Sequence, residues 1–316
     1  MPVSDPRFAI GLDLGGTNAR AAAVDAQGRI LALHKHPLEQ RSPEAAAKAL
    51  SRCAAEVLAQ VRRDADCLGV GLGLAGQIDA ATGRVLVAPN LGWRDVDFRE
   101  LLSAELGRQV HLANDLAVAA LGEASVGAAR GFRDAILVFV GSGIGSGLIC
   151  DGRLYHGARG LSGELGHIKV HPGGRRCGCG ELGCLEAYAG GINLGVRAAE
   201  LMAQGRQSAL VFPAGLHPTM SMIEAAANEG DELSRELREE AAVLVGVAAA
   251  NLVTLLNPSV LILGGGVLTG SPTMRSRVEE VVRQNAGRAA LSGLLVVEPT
   301  LGDDAGVIGG AFLARG

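Results

Sequence analysis

Phe8–Asp25, FAIGLDLGGTNARAAAVD, and Ala135–Asp151, AILVFVGSGIGSGLICD, are two versions of one design. In each, an apolar run enters a glycine-rich turn, leaves it as a second apolar run and ends on an aspartate. A constant shift of 126 residues carries Gly15 onto Gly141 and Asp25 onto Asp151, which argues for an internal duplication. Short apolar runs bounded by Gly and Asp read as strands, so the first copy predicts a three-strand meander over Phe8–Leu14, Ala19–Val24 and Arg29–Leu33. Both turns offer backbone N–H groups and a hydroxyl, Thr17 in the first and Ser142 in the second, a chemistry suited to gripping a polyphosphate from opposite sides. Asp13 stands beside Gly15, Gly16 and Thr17 and would face that phosphate. A carboxylate there calls for a cation between the two, typically Mg²⁺ held through water.

Between the two copies, 43–63 reads as an Ala-rich helix and Cys67–Leu74 as a buried strand. Gly71, Gly73 and Gly76 match the dinucleotide pattern GxGxxG. The match is rejected, because Asp79 and Thr82-Gly83 put turns where that motif needs a helix. Pro89, Asn90 and the sole tryptophan, Trp93, read as a loop, and Asp97 with Glu100 as an incomplete capping box opening a helix to Leu106. A strand over Gln109–Ala113 then delivers Asn114 and Asp115 to a helix at Leu116–Ser125. Taken locally, Asp115 reads as an N-cap. Asn114 adds a second polar group at a strand's carboxyl end, where α/β proteins place ligands.

Gly163–Glu186, GELGHIKVHPGGRRCGCGELGCLE, carries the densest chemistry. Cys177, Cys179 and Cys184 fall within eight residues, and with one histidine they complete the Cys₃His set of a structural Zn²⁺ site. His167 and His171 are both candidates, and spacing does not choose between them. With no secretory signal ahead of it, a cysteine cluster of this kind points to metal before disulfides and to a cytoplasmic protein. Glu164 and Glu186 flank the clip, so fixing the metal fixes two carboxylates and an imidazole in one place. The competing reading makes both glutamates solvated surface charges.

The 316 residues are 48% hydrophobic and 20% charged, enough for two domains with good cores. A net charge of −4 without a Lys/Arg block gives no support to a nucleic-acid partner. The longest apolar run, Ala241–Leu256, contains Gly246 and Asn251 and is shorter than the roughly 20 residues that span a bilayer, so it reads as a buried helix and no membrane partner is expected. Forty-six glycines, far above the usual ~7%, suggest backbone approaching a ligand at several points. After the clip the pattern is helical over Leu185–Ala203, from a cap at Ser221 with Glu224, and over Asp231–Leu256. A strand at Ser259–Leu263 runs into Gly264, Gly265 and Gly266, a surface flat enough for a purine or ribose. Ser271-Pro272 start another helix, Leu294–Val297 is a strand, and Asp304–Ala314 is the closing helix.

Together LDLGGTNAR (Leu12–Arg20), ND (Asn114-Asp115), GSGIGSG (Gly141–Gly147), GELGH (Gly163–His167), CGCGELGCLE (Cys177–Glu186) and LGGG (Leu263–Gly266) resemble the ROK family of bacterial sugar kinases and related repressors. The resemblance is strongest to its ATP-dependent glucokinases. It implies an α/β, actin-like (ribonuclease H-like) duplicated fold, with lobes expected at 1–114 plus 302–316 and at 115–301, and ATP and sugar meeting between them. It implies that Asp115 is the catalytic base, that Asn90, Asn114, Glu164, His167 and Glu186 hold sugar hydroxyls, and that His167, with the three cysteines, holds zinc. Asp13, Gly15, Gly16, Thr17, Gly141, Ser142, Gly143 and Gly264–Gly266 would serve MgATP. The implied reaction is phosphorylation of a hexose 6-hydroxyl, glucose first and N-acetylmannosamine or N-acetylglucosamine as the alternative, by a homodimer or homotetramer. Ser142 departs from the threonine common in family kinases but keeps the hydroxyl. Repressor members carry an N-terminal helix-turn-helix, whereas here the first phosphate-loop strand begins at Phe8, so no DNA reader is expected.

Overall fold

The computed structural model describes residues 7–61 and 66–315. The first sheet has the order β3-β2-β1-β4-β8, from β1 (Phe8–Leu14), β2 (Asn18–Asp25), β3 (Ile30–Pro37), β4 (Cys67–Leu74) and β8 (Val110–Asn114). β1 pairs antiparallel with β2 and parallel with β4, and β4 parallel with β8. The near-continuous burial of β1 is what a strand covered on both faces requires. The second sheet runs β11-β10-β9-β12-β13, from β9 (Ala135–Val140), β10 (Ile144–Cys150), β11 (Arg153–Leu154), β12 (Val260–Gly264) and β13 (Leu295–Val297). Numbered within itself, each sheet reads third, second, first, fourth, fifth. The strands before Gly15 and Gly141 thus occupy equivalent central places, and the duplicated actin-like α/β architecture expected from the 126-residue shift is present.

Met1–Ala135, Gly147–Gly163 and Pro299–Gly316 form one compact unit, and Ile136–Ser146 with Glu164–Glu298 form the other. In the first, α1 (Pro43–Val61) covers one face of the sheet through Ala46, Leu50, Ala54 and Val57. The last two residues of the expected helix lie outside the described residues. The other face is covered by α11 (Ala305–Leu313), which also packs on α3 (Asp115–Val126). Here backbone meets backbone. A methyl at Gly11 would lie 1.6 Å from the Val307 carbonyl oxygen, one at Gly71 2.1 Å from that of Gly310, and one at Gly309 1.9 Å from that of Val118. In the second unit α7 (Glu232–Leu256) is buried along Leu233, Leu237, Ala241, Val245 and Val253. By length and composition it is also apolar enough to cross a membrane. It packs on α6 (Met220–Glu229) and α9 (Pro272–Asn285).

Several local expectations are corrected. Trp93 does not lie in a loop: it opens β7 (Trp93–Val96) in a small sheet with β5 (Gln77–Asp79) and β6 (Arg84–Ala88). Its ring packs 4.6 Å from that of Phe98, and its Nε1 donates to the Arg41 carbonyl at 2.5 Å. α2 (Phe98–Leu106) begins as expected, but the Asp97 side chain caps nothing because Arg84 engages both its oxygens, at 2.8 and 2.7 Å. Thr219, not Ser221, caps α6. The helix expected over Leu185–Ala203 breaks at Gly190 into α4 (Glu186–Ala189) and α5 (Gly191–Ala203). The break lets Gly191 N–H and Ile192 N–H donate to the carbonyls of Gly141 and Ser142 at 2.9 and 3.2 Å, anchoring the second glycine turn to the start of α5.

Asp25, buried at the β2–β3 turn, accepts from the backbone N–H groups of Gln27 and Arg29, each at 2.9 Å, and from Arg29 Nε at 2.6 Å. Burial pushes its pKa up, but the hydrogen bonds from Arg29 and Gln27 outweigh that and hold it below the usual carboxylate value. A depressed folded-state pKa contributes stability above the unfolded value, and that contribution is lost as pH falls through the folded one. Asp25→Asn is therefore expected to cost about 1–3 kcal/mol at neutral pH and progressively less below about pH 4, read from urea unfolding of both proteins across pH. Gly11→Ala is expected to destabilise by at least the ~1–3 kcal/mol of an overpacked core, because its obstacle is backbone that cannot rotate aside, and the same urea experiment measures it.

Candidate active site

In the first unit β1 carries Asp13 to the turn Gly15-Gly16-Thr17, which closes through Gly15 N–H donating to the Asn18 carbonyl at 3.0 Å. Gly16 faces Asn90, whose backbone carbonyl oxygen would be 3.5 Å from an added methyl, so the structure brings Asn90 beside the first glycine turn. The Asp13 carboxylate lies against Gly306 in the first turn of α11. Burial pushes its pKa up; Arg20 opposes this next most strongly, and the negative charge of Asp303 adds a smaller upward push. A half-buried carboxylate with that balance is suited to a cation, so Asp13 fits the role of holding hydrated Mg²⁺. Arg20 and Asp303-Asp304 were given no role by sequence reasoning. The signal for Arg20 was available, because a hairpin pivoting on Gly16-Thr17 pairs Asp13 with Arg20 across the two strands, as observed.

Asn114 and Asp115 sit where β8 gives way to α3. The cap is Asn114: its Oδ1 accepts from Leu116 and Ala117 N–H at 2.9 and 3.2 Å, while its Nδ2 donates to the Gly76 carbonyl at 3.1 Å. The local reading of Asp115 as the cap is therefore overturned. Asp115 is the first residue of the helix proper, where the dipole favours negative charge. The far end of α3 is fixed by Glu123, fully buried, which accepts from the N–H groups of Ala128, Thr300 and Leu301 at 2.7, 2.9 and 2.9 Å.

In the second unit the cysteine clip is a folded hairpin. Cys177 N–H donates to the Glu181 carbonyl and Gly180 N–H to that of Cys177, at 2.8 and 2.9 Å. Gly180 and Gly183 take φ of 96° and 80°, a left-handed backbone that glycine adopts without strain. A turn of 3₁₀ helix, Leu165–His167, brings His167 to the cysteines. One ligand atom from each of His167, Cys177, Cys179 and Cys184 lies within 4.8 Å of all the others. Cys179 Sγ and Cys184 Sγ are 3.8 Å apart, as are Cys177 Sγ and His167 Nδ1. Zn–S bonds of about 2.3 Å in a tetrahedron set sulfur–sulfur edges of about 3.8 Å, so the donor set and its spacing fit zinc. His171 is not part of the group and packs its ring 4.7 Å from that of Tyr188.

The other imidazole nitrogen, Nε2, faces Glu164 Oε2 at 3.6 Å. Glu186, at the start of α4, accepts from Ile144 N–H at 2.9 Å, and a methyl at Gly143 would meet its Oε2 at 2.4 Å. Its Oε1 lies 3.8 Å from Cys177 Sγ. Glu186 therefore links the clip to the second glycine turn, Gly141-Ser142-Gly143, a connection absent from the sequence reading. Gly264 ends β12, Gly265 has φ of 98° with Val140 backbone packed against it, and Gly266 opens α8 (Gly266–Gly270) with open space beside it.

A model of the ROK family matches residues 9–316. The chain belongs to the ROK family. It is similar to a glucokinase of Halalkalibacterium halodurans, 32% identical over 98% of this chain and 95% of that one. A ROK hexokinase of Thermus thermophilus superposes with a TM-score of 0.83 at 32% identity, covering 97% of both chains. A ROK glucokinase of Streptomyces griseus, solved with glucose and AMPPNP, superposes at 0.77 and 33% identity, covering 98% of this chain and 99% of that one. These ROK relatives share the actin-like fold.

The clip yields one prediction. Protein purified without metal-affinity steps is expected to carry about one zinc per chain by elemental analysis, and Cys184→Ser to lose it. Because Glu186 joins the clip to Ile144, that loss is expected to raise KM for nucleotide as well as for sugar, each by about tenfold, the scale of one charge-assisted hydrogen bond. Steady-state kinetics of metal-replete and variant protein measure both.

Proposed function

We propose that this chain is an ATP-dependent hexose kinase that moves the γ-phosphoryl group of ATP to the 6-hydroxyl of its sugar, with glucose the leading substrate. The observation that carries the reading is the division of labour at the start of α3, where Asn114 supplies the helix cap and Asp115 is not needed for it. Resemblance to glucokinases over the whole chain supports the same substrate class. Phosphoryl transfer leaves a protein mainly positioning and charge stabilisation, with a base to take the hydroxyl proton. Asp115 is the base in this reading, accepting the proton of the 6-hydroxyl as its oxygen attacks phosphorus.

Asn90, Asn114, Glu164, His167 and Glu186 would hold the sugar. Asn114 and Glu186 spend part of their hydrogen-bonding capacity on the protein, which orients what is left. Thr17, Ser142 and the N–H groups of Gly15, Gly16, Gly141 and Gly143 would hold the phosphates, and Gly264–Gly266 the nucleoside. Asp13 would bind Mg²⁺ through water, and the metal would neutralise developing phosphate charge. Zinc, with four protein ligands, would serve structure, since a catalytic site keeps a position open.

Coupled ADP-release assays with a panel of hexoses test the reaction: sugar-dependent release with glucose preferred is expected, and sugar-independent release or none contradicts it. Preference for an N-acetylated hexosamine would move the substrate to N-acetylmannosamine or N-acetylglucosamine. For the mechanism, Asp115→Asn is expected to leave sugar Kd and unfolding free energy close to wild type while lowering kcat by at least the ~10²-fold typical of a lost general base. A near-normal kcat in folded, zinc-replete variant removes the assignment.

A further inference from the structure

Arg20 forms an ion pair with the Asp13 carboxylate but does not hydrogen-bond to it. Its Nη1 stops 3.7 Å from Asp13 Oδ2, beyond hydrogen-bonding reach. The same Nη1 donates to the Asp303 carbonyl, and Nη2 donates to Asp304 Oδ1 at 2.5 Å. Asp304 immediately precedes α11, and its side chain makes no cap hydrogen bond there. The opposite wall is fixed too, since Asp13 lies against the backbone of Gly306 in the first turn of the same helix. The guanidinium is thus drawn sideways by the segment leading into α11, although β1–β2 register sets it directly opposite Asp13.

We propose that Asp304 is a positioning residue that holds Arg20 off Asp13, reserving the Asp13 carboxylate for the hydrated Mg²⁺ of the nucleotide. The proposal rests on the reading of Asp13 given above. A planar guanidinium matches a carboxylate bidentately, and one released beside Asp13 would close the short gap and compete with the metal's water shell. To Arg20, Asp303 offers its backbone carbonyl, and the side chain that holds the guanidinium is that of Asp304.

The test is isothermal titration of AMPPNP into zinc-replete full-length protein across a Mg²⁺ series, with unfolding followed in parallel. Asp304→Ala is expected to raise the Mg²⁺ concentration for half-maximal binding about tenfold, the scale of one charge-assisted hydrogen bond. Asp304→Asn keeps an acceptor oxygen and is expected to shift it less. The double variant Arg20→Gln/Asp304→Ala is expected to return near the wild-type midpoint, because the competitor is gone. An unshifted midpoint in Asp304→Ala overturns the proposal, and so does a shift that the double variant fails to reverse, which would mean that Asp304 acts by securing α11. Asp13→Asn separates the two layers: a shift there with none in Asp304→Ala refutes the proposal alone, whereas no shift in Asp13→Asn refutes the Asp13 reading and the proposal with it.

Discussion

The constraint on which the first unit depends is the close seat of α11 against β1, β4 and α3. Four glycines, Gly11, Gly71, Gly309 and Gly310, bring backbone against backbone where any side chain would collide with a carbonyl. Such contact gives up the apolar side chains that normally join helix to sheet and gains dispersion contacts at short range. Its consequence is positional. The first turn of α11 rests on Asp13, and the segment just before it holds Arg20. The helix whose N-terminus carries Asp115 packs on the flank of α11 and is tied at its other end by Glu123 to Thr300 and Leu301. Two carboxylates assigned to chemistry are thereby referred to one rigid contact, as a geometry held to fractions of an ångström requires.

The second unit reaches comparable rigidity by other means. Its glycine turn is pinned from two sides, by the N–H groups of Gly191 and Ile192 on its carbonyls and by Glu186 on Ile144 N–H. Glu186 in turn abuts Cys177, so the cysteine hairpin braces the turn. Without metal, the Cys177 thiol is pushed up to about 12, chiefly by burial. Thiolate ligands shed their protons on binding metal, which couples the order of this region to the occupied clip. The cysteine hairpin, Glu186 and the second glycine turn form one connected structure here.

Much of this was legible in the sequence because it repeats. A shift that maps Gly15 on Gly141 and Asp25 on Asp151 reveals the duplication that the two sheets share, and cysteine spacing points to the clip. The choice of His167 came only through family resemblance, since spacing left His171 open, and ring packing on Tyr188 now gives His171 another role. Features decided by tertiary contact were not legible. Asn and Asp cap equally well, so only the structure shows that Asn114 takes the cap. The helix break at Gly190 is made by carbonyls nearly fifty residues earlier in the chain. Trp93 sits among turn residues and polar neighbours, and burial against Phe98 makes it part of a strand. Some of the glycines read as ligand approaches, Gly11 and Gly71 among them, serve helix–sheet contact, a distinction that composition cannot make.

The central claim is that two copies of one strand–turn–strand device, a cysteine clip and a carboxylate at the head of α3 together transfer phosphate to a sugar hydroxyl. The most direct measurement is ³¹P NMR of the purified protein turning over ATP and glucose, with proton coupling resolved. The account predicts that γ-phosphate signal is replaced by one phosphomonoester coupled to the two protons on the sugar's C6, in step with ADP. Inorganic phosphate as the sole new signal, or a phosphoester on another sugar carbon, would contradict it.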